Sequence, residues 1–209
     1  MTKTEGARGP YRTGIERRRQ ILEKAIEVFG AYGYTGGSLR RIAQEVGVTP
    51  AALARHFGSK EGLLVEVLRF WEEGNRRFEP DLDARGLTAI EGNTRLMAAH
   101  LQHRGFLELF LTLSTEASDR SHPAHEFVTA RYASVLARFR RQLAEAVSDG
   151  EVAPMSEGQI EIEARSLIAV MDGLELQWLL EPDMDLVGTF RAYLDAATAR
   201  WRSATAHAQ

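Results

Sequence analysis

The chain has 209 residues, no cysteine and a formal net charge of −3 at pH 7. The lack of cysteine excludes disulfides, thiolate zinc sites and cysteine nucleophiles. No run of about 18 apolar residues is present, so we expect no membrane span. The N-terminal residues also lack the apolar segment of a signal peptide, and we therefore expect a cytoplasmic protein.

Hydrophobic periodicity predicts an all-α chain of about nine helices. The first 14 residues are polar and basic, so we expect a flexible arm over 1–14. A DNA-binding domain is expected over 15–58 and a helical regulatory and dimerisation domain over 59–209. The predicted helices cover 15–31, two short helices within 38–57, then 59–78, 87–102, 104–118, 123–147, 156–181 and 184–202.

Residues 38–57 have the pattern of two short helices joined by a tight turn. Ser38 is a suitable N-cap for the first helix, and Gly47 stands where that helix must end. Thr49 is a suitable N-cap for the second helix, and Pro50 suits its first turn because no backbone N–H is needed there. The segment therefore predicts a helix-turn-helix, whose second helix enters a DNA major groove.

The charge of the chain is distributed unevenly. Residues 1–60 contain 11 Lys and Arg but 5 acidic residues, a net charge of +6, whereas the remainder carries −9. Such asymmetry favours a nucleic-acid-facing end on an acidic body.

The predicted helix at 156–181 carries two apolar stripes rather than one. A helix that covers a core from one side needs a single stripe, so the second stripe predicts contact with a second copy of the chain. The alternative is that this stripe covers other helices of the same chain. The expected four-helix dimer interface consists of Ile162, Ala169, Gly173, Leu176, Leu180, Phe190, Leu194, Ala197 and Trp201.

A specific combination of short motifs runs from Ile21 to Leu64. The pieces are ILEKAIEVF from Ile21, Gly33-Tyr34, SLRRIAQEVGVT from Ser38, Leu53 with Phe57, and SKEGLL from Ser59. This combination resembles the TetR family of bacterial transcriptional regulators. The resemblance implies a homodimeric repressor without a cofactor, which binds a palindromic double-stranded DNA operator and responds to a small-molecule effector.

The candidate DNA-contacting residues lie in the basic arm, at the starts of the short helices or on the outer face of the second one. An arginine can grip guanine in a bidentate manner, and helix N-termini can bind phosphates. The alternatives are a solvated charge for Arg40 and simple capping for the two hydroxyl residues. The set is Arg12, Ser38, Arg40, Thr49, Pro50, Ala51, Ala52, Arg55, His56 and Lys60.

The chain departs from the family pattern in its second short helix. Family members often carry tyrosines where this chain has Ala54 and His56. The basic stretch from Arg8 to Arg12 resembles an arm that enters an adjacent minor groove and can compensate for them.

The resemblance places an effector pocket among the middle helices of the second domain. The candidate wall residues are Phe106, Phe110, Met171 and Gln177, and the alternative is that they are ordinary core.

Two other classes of function remain open. His100 with His103, and His122 with His125, have a spacing that can bind a metal on a helix, but two ligands make no site without a third. No Gly-rich phosphate loop or nucleophile elbow is present, so an enzyme is disfavoured. A helical interaction module without DNA binding is the other alternative.

Overall fold

The computed structural model describes residues 10–76 and 84–203, except for the side chains of 10–13 and 75. These ranges contain helices and no strand, which confirms the all-α prediction. The helices are α1 Pro10–Gly36, α2 Leu39–Glu45, α3 Pro50–Phe57, α4 Lys60–Arg76, α5 Gly86–Glu91, α6 Asn93–Gln102, α7 Arg104–Glu116, α8 His125–Ser148, α9 Glu157–Leu180 and α10 Leu186–Ser203.

The short helices α5 and α6 form one nearly continuous helical segment. Gly92, which separates them, keeps helical angles of φ −54° and ψ −22°. Counted this way, the described ranges contain the nine helices that the sequence predicts. None of the helices there has the length and apolarity that crossing a membrane requires.

The first helix differs from the prediction at both ends. It begins at Pro10, so residues 10–14 of the predicted arm are helical, and residues 1–9 lie outside the described residues. It also continues past 31 to Gly36, with a bend at Gly33. Gly33 has φ 67° and ψ 176°, a conformation that glycine adopts without a Cβ clash. The segment after residue 31, which the sequence places outside the helix, is therefore a bend within α1.

Two hydrophobic cores organise the molecule. The first core joins α1–α4 with the second half of α7 and the start of α8, through residues such as Leu109, Leu113 and Val128. The second core lies among α5–α10. Within the first core, α1 packs directly on α7 and on α4, and the two short helices pack on α1, on α4 and on each other.

The prediction that the apolar stripe of α10 contacts a second copy of the chain is wrong. Its apolar side chains are buried in the second core of the same chain, where they face α6 and α9. They therefore cannot meet a partner. The four residues, with their exposed fractions, are Phe190 0 %, Leu194 2 %, Ala197 0 % and Trp201 1 %.

The second stripe of α9 is different. Ile162, Leu176 and Leu180 are 64 %, 50 % and 79 % exposed, which is unusual for large apolar side chains on one helix. Ala169 on the same face is exposed and Gly173 is half-buried. This stripe does not cover other helices of its own chain.

Candidate nucleic-acid interface and effector cavity

The first short helix begins and ends as its sequence predicts. Ser38 is extended, with φ −136° and ψ 149°, and its Oγ accepts a hydrogen bond from the Arg41 N–H at 3.1 Å. Gly47 takes φ 65° and turns the chain out of α2. The predicted caps are therefore present, although the same groups also lie where a phosphate can bind.

The second short helix is fixed in the same way. Thr49 Oγ1 accepts the Ala52 N–H at 3.1 Å, and Pro50 occupies the first turn. Leu53 and Phe57 are buried in the first core. Gly58 ends the helix with φ 76°. One face of α3 is thus anchored in the core, and the opposite face is exposed.

The outer face carries exposed basic side chains. Arg40, Arg55 and His56 are exposed, and the two arginines make no hydrogen bond or ion pair within 10–76 and 84–203. Neighbouring arginines are engaged: Arg41 stacks on the Tyr32 ring at 3.8 Å, and Arg17 donates to the Val46 carbonyl at 2.7 Å.

Small residues on the outer face of α3 lie near these arginines in the sequence. Pro50 and Ala51 are exposed and Ala52 is half-buried. The side chain of Arg12 lies outside the described residues.

Lys60 lies at the junction between the helix-turn-helix and the rest of the chain. Its Nζ donates to the Thr35 carbonyl at 3.3 Å and lies 4.3 Å from the centre of the Tyr34 ring. Burial lowers the pKa of Lys60, and the negative charge of Glu116 opposes that change. An ammonium has three donors, so Lys60 retains capacity for a phosphate.

A small cavity lies between α4, α6, α7, α8 and α9. Phe106, Phe110 and Met171 line it, together with Trp71. Its volume is about 60 Å³, whereas sites for drug-sized ligands have roughly 300–1,000 Å³. The cavity must expand to hold an effector of that size.

The prediction for Gln177 is wrong. Its side chain is exposed and does not line the cavity. The helical turn directs Glu175 and Trp178 inward instead, and Gln177 between them points outward.

The cavity wall contains two hydrogen-bonded polar pairs. His100 Nδ1 lies 2.5 Å from Glu175 Oε1, and the Tyr132 hydroxyl donates to Asp172 Oδ2 at 2.7 Å. Burial raises the pKa of Asp172 to about 6, and the hydrogen bond from Tyr132 opposes that rise. Burial and the Asp172 hydrogen bond also raise the pKa of Tyr132. Perturbed buried groups of this kind cluster at functional sites.

Sequence reasoning missed most of these polar groups. Arg131, Arg138, Asp172 and Glu175 all line the cavity. The available signal was the position of Glu175 on the otherwise apolar inner face of α9, where an acidic residue needs a buried partner.

An open groove of about 730 Å³ lies next to the cavity, between α1, α7 and α9. Tyr132 and Asp172 line both spaces. Their hydrogen bond therefore forms part of the wall that separates the cavity from the groove.

The histidine pairs do not form metal sites. His100 is bound to Glu175, and His125 Nδ1 contacts the Ala117 carbonyl at 2.8 Å. Over the part of the chain that the structure describes, no three acidic or histidine side chains gather as a metal site requires.

Two family models match the chain. One, described as bacterial regulatory proteins of the tetR family, matches residues 21–67. The other, described as the C-terminal part of BetI-type transcriptional repressors, matches residues 94–207, more than half of the chain.

Individual relatives agree with these models. The chain is 32 % identical over 109 residues to the HTH-type transcriptional repressor KstR2 of Rhodococcus jostii, covering 52 % of the chain and 46 % of that protein. It therefore spans about half the length of that relative. It is 27 % identical to the HTH-type transcriptional regulator BetI of Vibrio vulnificus, over 80 % of the chain and 83 % of that regulator.

A solved structure shows the same fold. A TetR transcriptional regulator from Chloroflexus aurantiacus aligns with a TM-score of 0.77 at 20 % identity, covering 90 % of this chain and 97 % of that one. With the capped helix-turn-helix and the two family models, the conclusion is that the chain belongs to the TetR family of bacterial regulatory proteins.

Proposed function

We propose that the protein is a ligand-responsive transcriptional repressor that binds a palindromic double-stranded DNA operator as a homodimer in the bacterial cytoplasm. The observation that supports this most strongly is the pair of exposed arginines, Arg40 and Arg55, which no described group neutralises. Unpaired cations beside a capped recognition helix are what a phosphate backbone and guanine edges require.

The DNA-binding domain formed by α1–α3, called the head, docks with α3 in the major groove. The N-termini of α2 and α3, capped by Ser38 and Thr49, then face phosphates on either side. The methyl groups of Ala51 and Ala52 suit contact with a thymine methyl, so hydrogen-bonded base readout rests on the arginines.

The exposed stripe on α9 supplies the dimer contact. Ile162, Leu176 and Leu180 would be covered by a second copy, and Ala169 and Gly173 would allow close approach of the helices. This corrected interface uses α9 and excludes the buried stripe of α10. Two heads held about 34–36 Å apart would match half-sites one helical turn apart.

The effector occupies the cavity lined by Phe106, Phe110 and Met171 after the cavity expands. The division into a DNA-binding head and a regulatory domain over 59–209 is part of the proposal, and the head extends back to the start of α1 at Pro10 because residues 10–14 of the predicted arm are helical.

The test uses duplexes selected by the wild-type chain from a randomised pool. Arg40→Ala should weaken binding to the selected duplex by about 1–3 kcal/mol and binding to unrelated DNA much less. Lys60→Ala should weaken both similarly and reduce the slope of log affinity against log salt by about one phosphate contact. Fluorescence anisotropy across a salt series measures both effects.

Arg95→Ala is the matched control, because Arg95 is exposed on α6, away from the head. Its affinity and salt slope should equal those of the wild type. An unchanged salt slope for Lys60→Ala would remove its phosphate role. Failure of the wild type to bind any duplex would favour the interaction module.

A further inference from the structure

The last residue of α7 holds the bend of α1. Glu116 Oε2 accepts a hydrogen bond from the Tyr34 backbone N–H at 2.7 Å, across 82 residues of sequence. Gly33, just before it, has φ 67°, and a Cβ there would overlap the Glu116 carboxylate. The bend and the carboxylate therefore fit one another closely.

A histidine between α7 and α8 lies close to the same carboxylate. His122 Nε2 lies 3.5 Å from Glu116 Oε2, and the imidazole meets the Tyr34 ring edge-on at 5.1 Å. His122 Nδ1 accepts the Ala124 N–H at 3.1 Å. His122 Nε2 makes no hydrogen bond with the described residues, so its contact with Glu116 is one of proximity only.

The contact continues from Tyr34 to the start of α4. The Tyr34 ring lies under Lys60 Nζ at 4.3 Å, and the same ammonium donates to the Thr35 carbonyl. Glu116 also acts on Lys60 through its charge, as the opposed pKa change shows. The Glu116 carboxylate therefore influences both junctions that flank α2 and α3, namely the end of α1 and the start of α4.

The other end of α7 forms the wall of the cavity. Phe106, Leu107 and Phe110 line it, and the Phe106 carbonyl accepts the Trp71 indole N–H at 3.2 Å. A helix of 13 residues rises by about 1.5 Å per residue and keeps its internal hydrogen bonds when it shifts. A displacement at Phe110 therefore reaches Glu116 less than two turns later.

The middle of α7 has little freedom to slide on α1. A Cβ at Gly30 would lie 3.1 Å from the Leu109 nitrogen, and Thr112 Oγ1 donates to the Gly30 carbonyl at 3.2 Å. Because the backbones are this close, movement of α7 must be transmitted to α1 rather than absorbed by side chains.

We infer that Glu116 is a positioning residue for DNA binding: it fixes the Gly33–Tyr34 bend and Lys60 in the binding orientation, and α7 makes its position depend on the effector cavity. The inference rests on the proposed function. It assigns the coupling to a side chain at the end of α7, in addition to any movement of α4.

The first experiment compares Glu116→Ala and Glu116→Gln in the full chain, using the duplex selected by the wild type. The alanine variant should bind at least about fivefold more weakly, the lower end of typical coupling between sites. The glutamine variant should recover most of that loss, because an amide oxygen still accepts the Tyr34 N–H. Glu91→Gln, an exposed carboxylate on α5, is the control and should match the wild type.

Hydrogen exchange separates positioning from general loss of structure. In Glu116→Ala the Tyr34 amide should exchange at least about tenfold faster, while the buried amides of α9 keep their wild-type protection. Uniformly faster exchange in both regions would mean that Glu116 is only a stability residue and would overturn the inference.

A cavity-filling substitution tests the link to the effector site. Val135 lines the cavity on α8, and Val135→Phe enlarges a side chain that points into it. This variant should weaken DNA binding in the wild-type background and have a smaller effect in the Glu116→Ala background. Equal effects in both backgrounds would show that the cavity reaches the head by another route.

The outcomes also distinguish this inference from the proposed function. If the wild type binds no duplex, the proposed function fails. If the wild type binds and Glu116→Ala binds equally well with unchanged Tyr34 exchange, only the inference fails.

Discussion

The head and the body, which consists of α4–α10, place their ionisable groups differently. In the head, short helices are closed by local caps at Ser38 and Thr49, and the surplus positive charge points outward. In the body, ionisable groups such as Asp172 and Glu175 are turned inward around a small cavity. The head therefore presents its charges on the outside of short capped helices, whereas the body encloses a small cavity lined by hydrogen-bonded polar pairs.

The largest expected effect separates the two regions by matched deletions in their cores. Leu53 in the head and Leu143 in the body are both 0 % exposed. Replacement of either by alanine should lower the free energy of unfolding by about 2–5 kcal/mol, through lost burial and a cavity. Urea denaturation measures both.

DNA binding should respond to only one of these changes. Leu53→Ala should abolish binding under conditions in which the chain remains folded, whereas Leu143→Ala should retain it. Equal loss of binding in both variants would mean that DNA binding does not depend on the head more than on the body.

The second effect concerns the half-buried carboxyl of Asp172. Its pKa of about 6 lies above the ordinary value, so the folded state holds the proton to higher pH than the unfolded state does. Stability contributed by this group is present at low pH and is lost as pH rises through about 6. Asp172→Asn, which can still accept the Tyr132 hydrogen bond, should be more stable than the wild type by about 1–3 kcal/mol at pH 8.

That difference should disappear near pH 4, where both proteins are neutral at this position. Thermal unfolding between pH 4 and 8 measures it. Glu61→Gln, on the exposed start of α4, is the control and should show no comparable dependence. A constant difference between Asp172→Asn and the wild type across this range would contradict the assignment.

The smallest effect tests the local capping of the head. Thr49→Ala removes the acceptor for the Ala52 N–H and should lower stability by about 1 kcal/mol. Thr49→Ser keeps the hydroxyl and should stay close to the wild type. Denaturant midpoints that are equal for the alanine and serine variants would show that the cap contributes nothing.

The same contrast explains what the sequence could predict. Caps and glycine stops at Ser38, Gly47, Thr49 and Gly58 are local signals, so the helix-turn-helix was predictable residue by residue. The helices of the body were predictable from periodicity.

The partners of those helices were not predictable. A stripe such as Phe190 and Trp201 has the same pattern whether it faces its own chain or a second copy, and here it faces its own. Whether Gln177 faces the cavity or the solvent depends on how α9 is rotated about its axis, and a shift of one residue in the helical phase reverses the answer. The contact of Glu116 with Tyr34 joins residues 82 positions apart, and no local pattern indicates it.

The most direct test is selection of bound duplexes from a fully randomised pool at low ionic strength, together with sedimentation of the same material. The account predicts a two-fold symmetric sequence with half-sites about one helical turn apart, bound by a dimer. An unenriched pool and a chain that remains monomeric at micromolar concentration would contradict it.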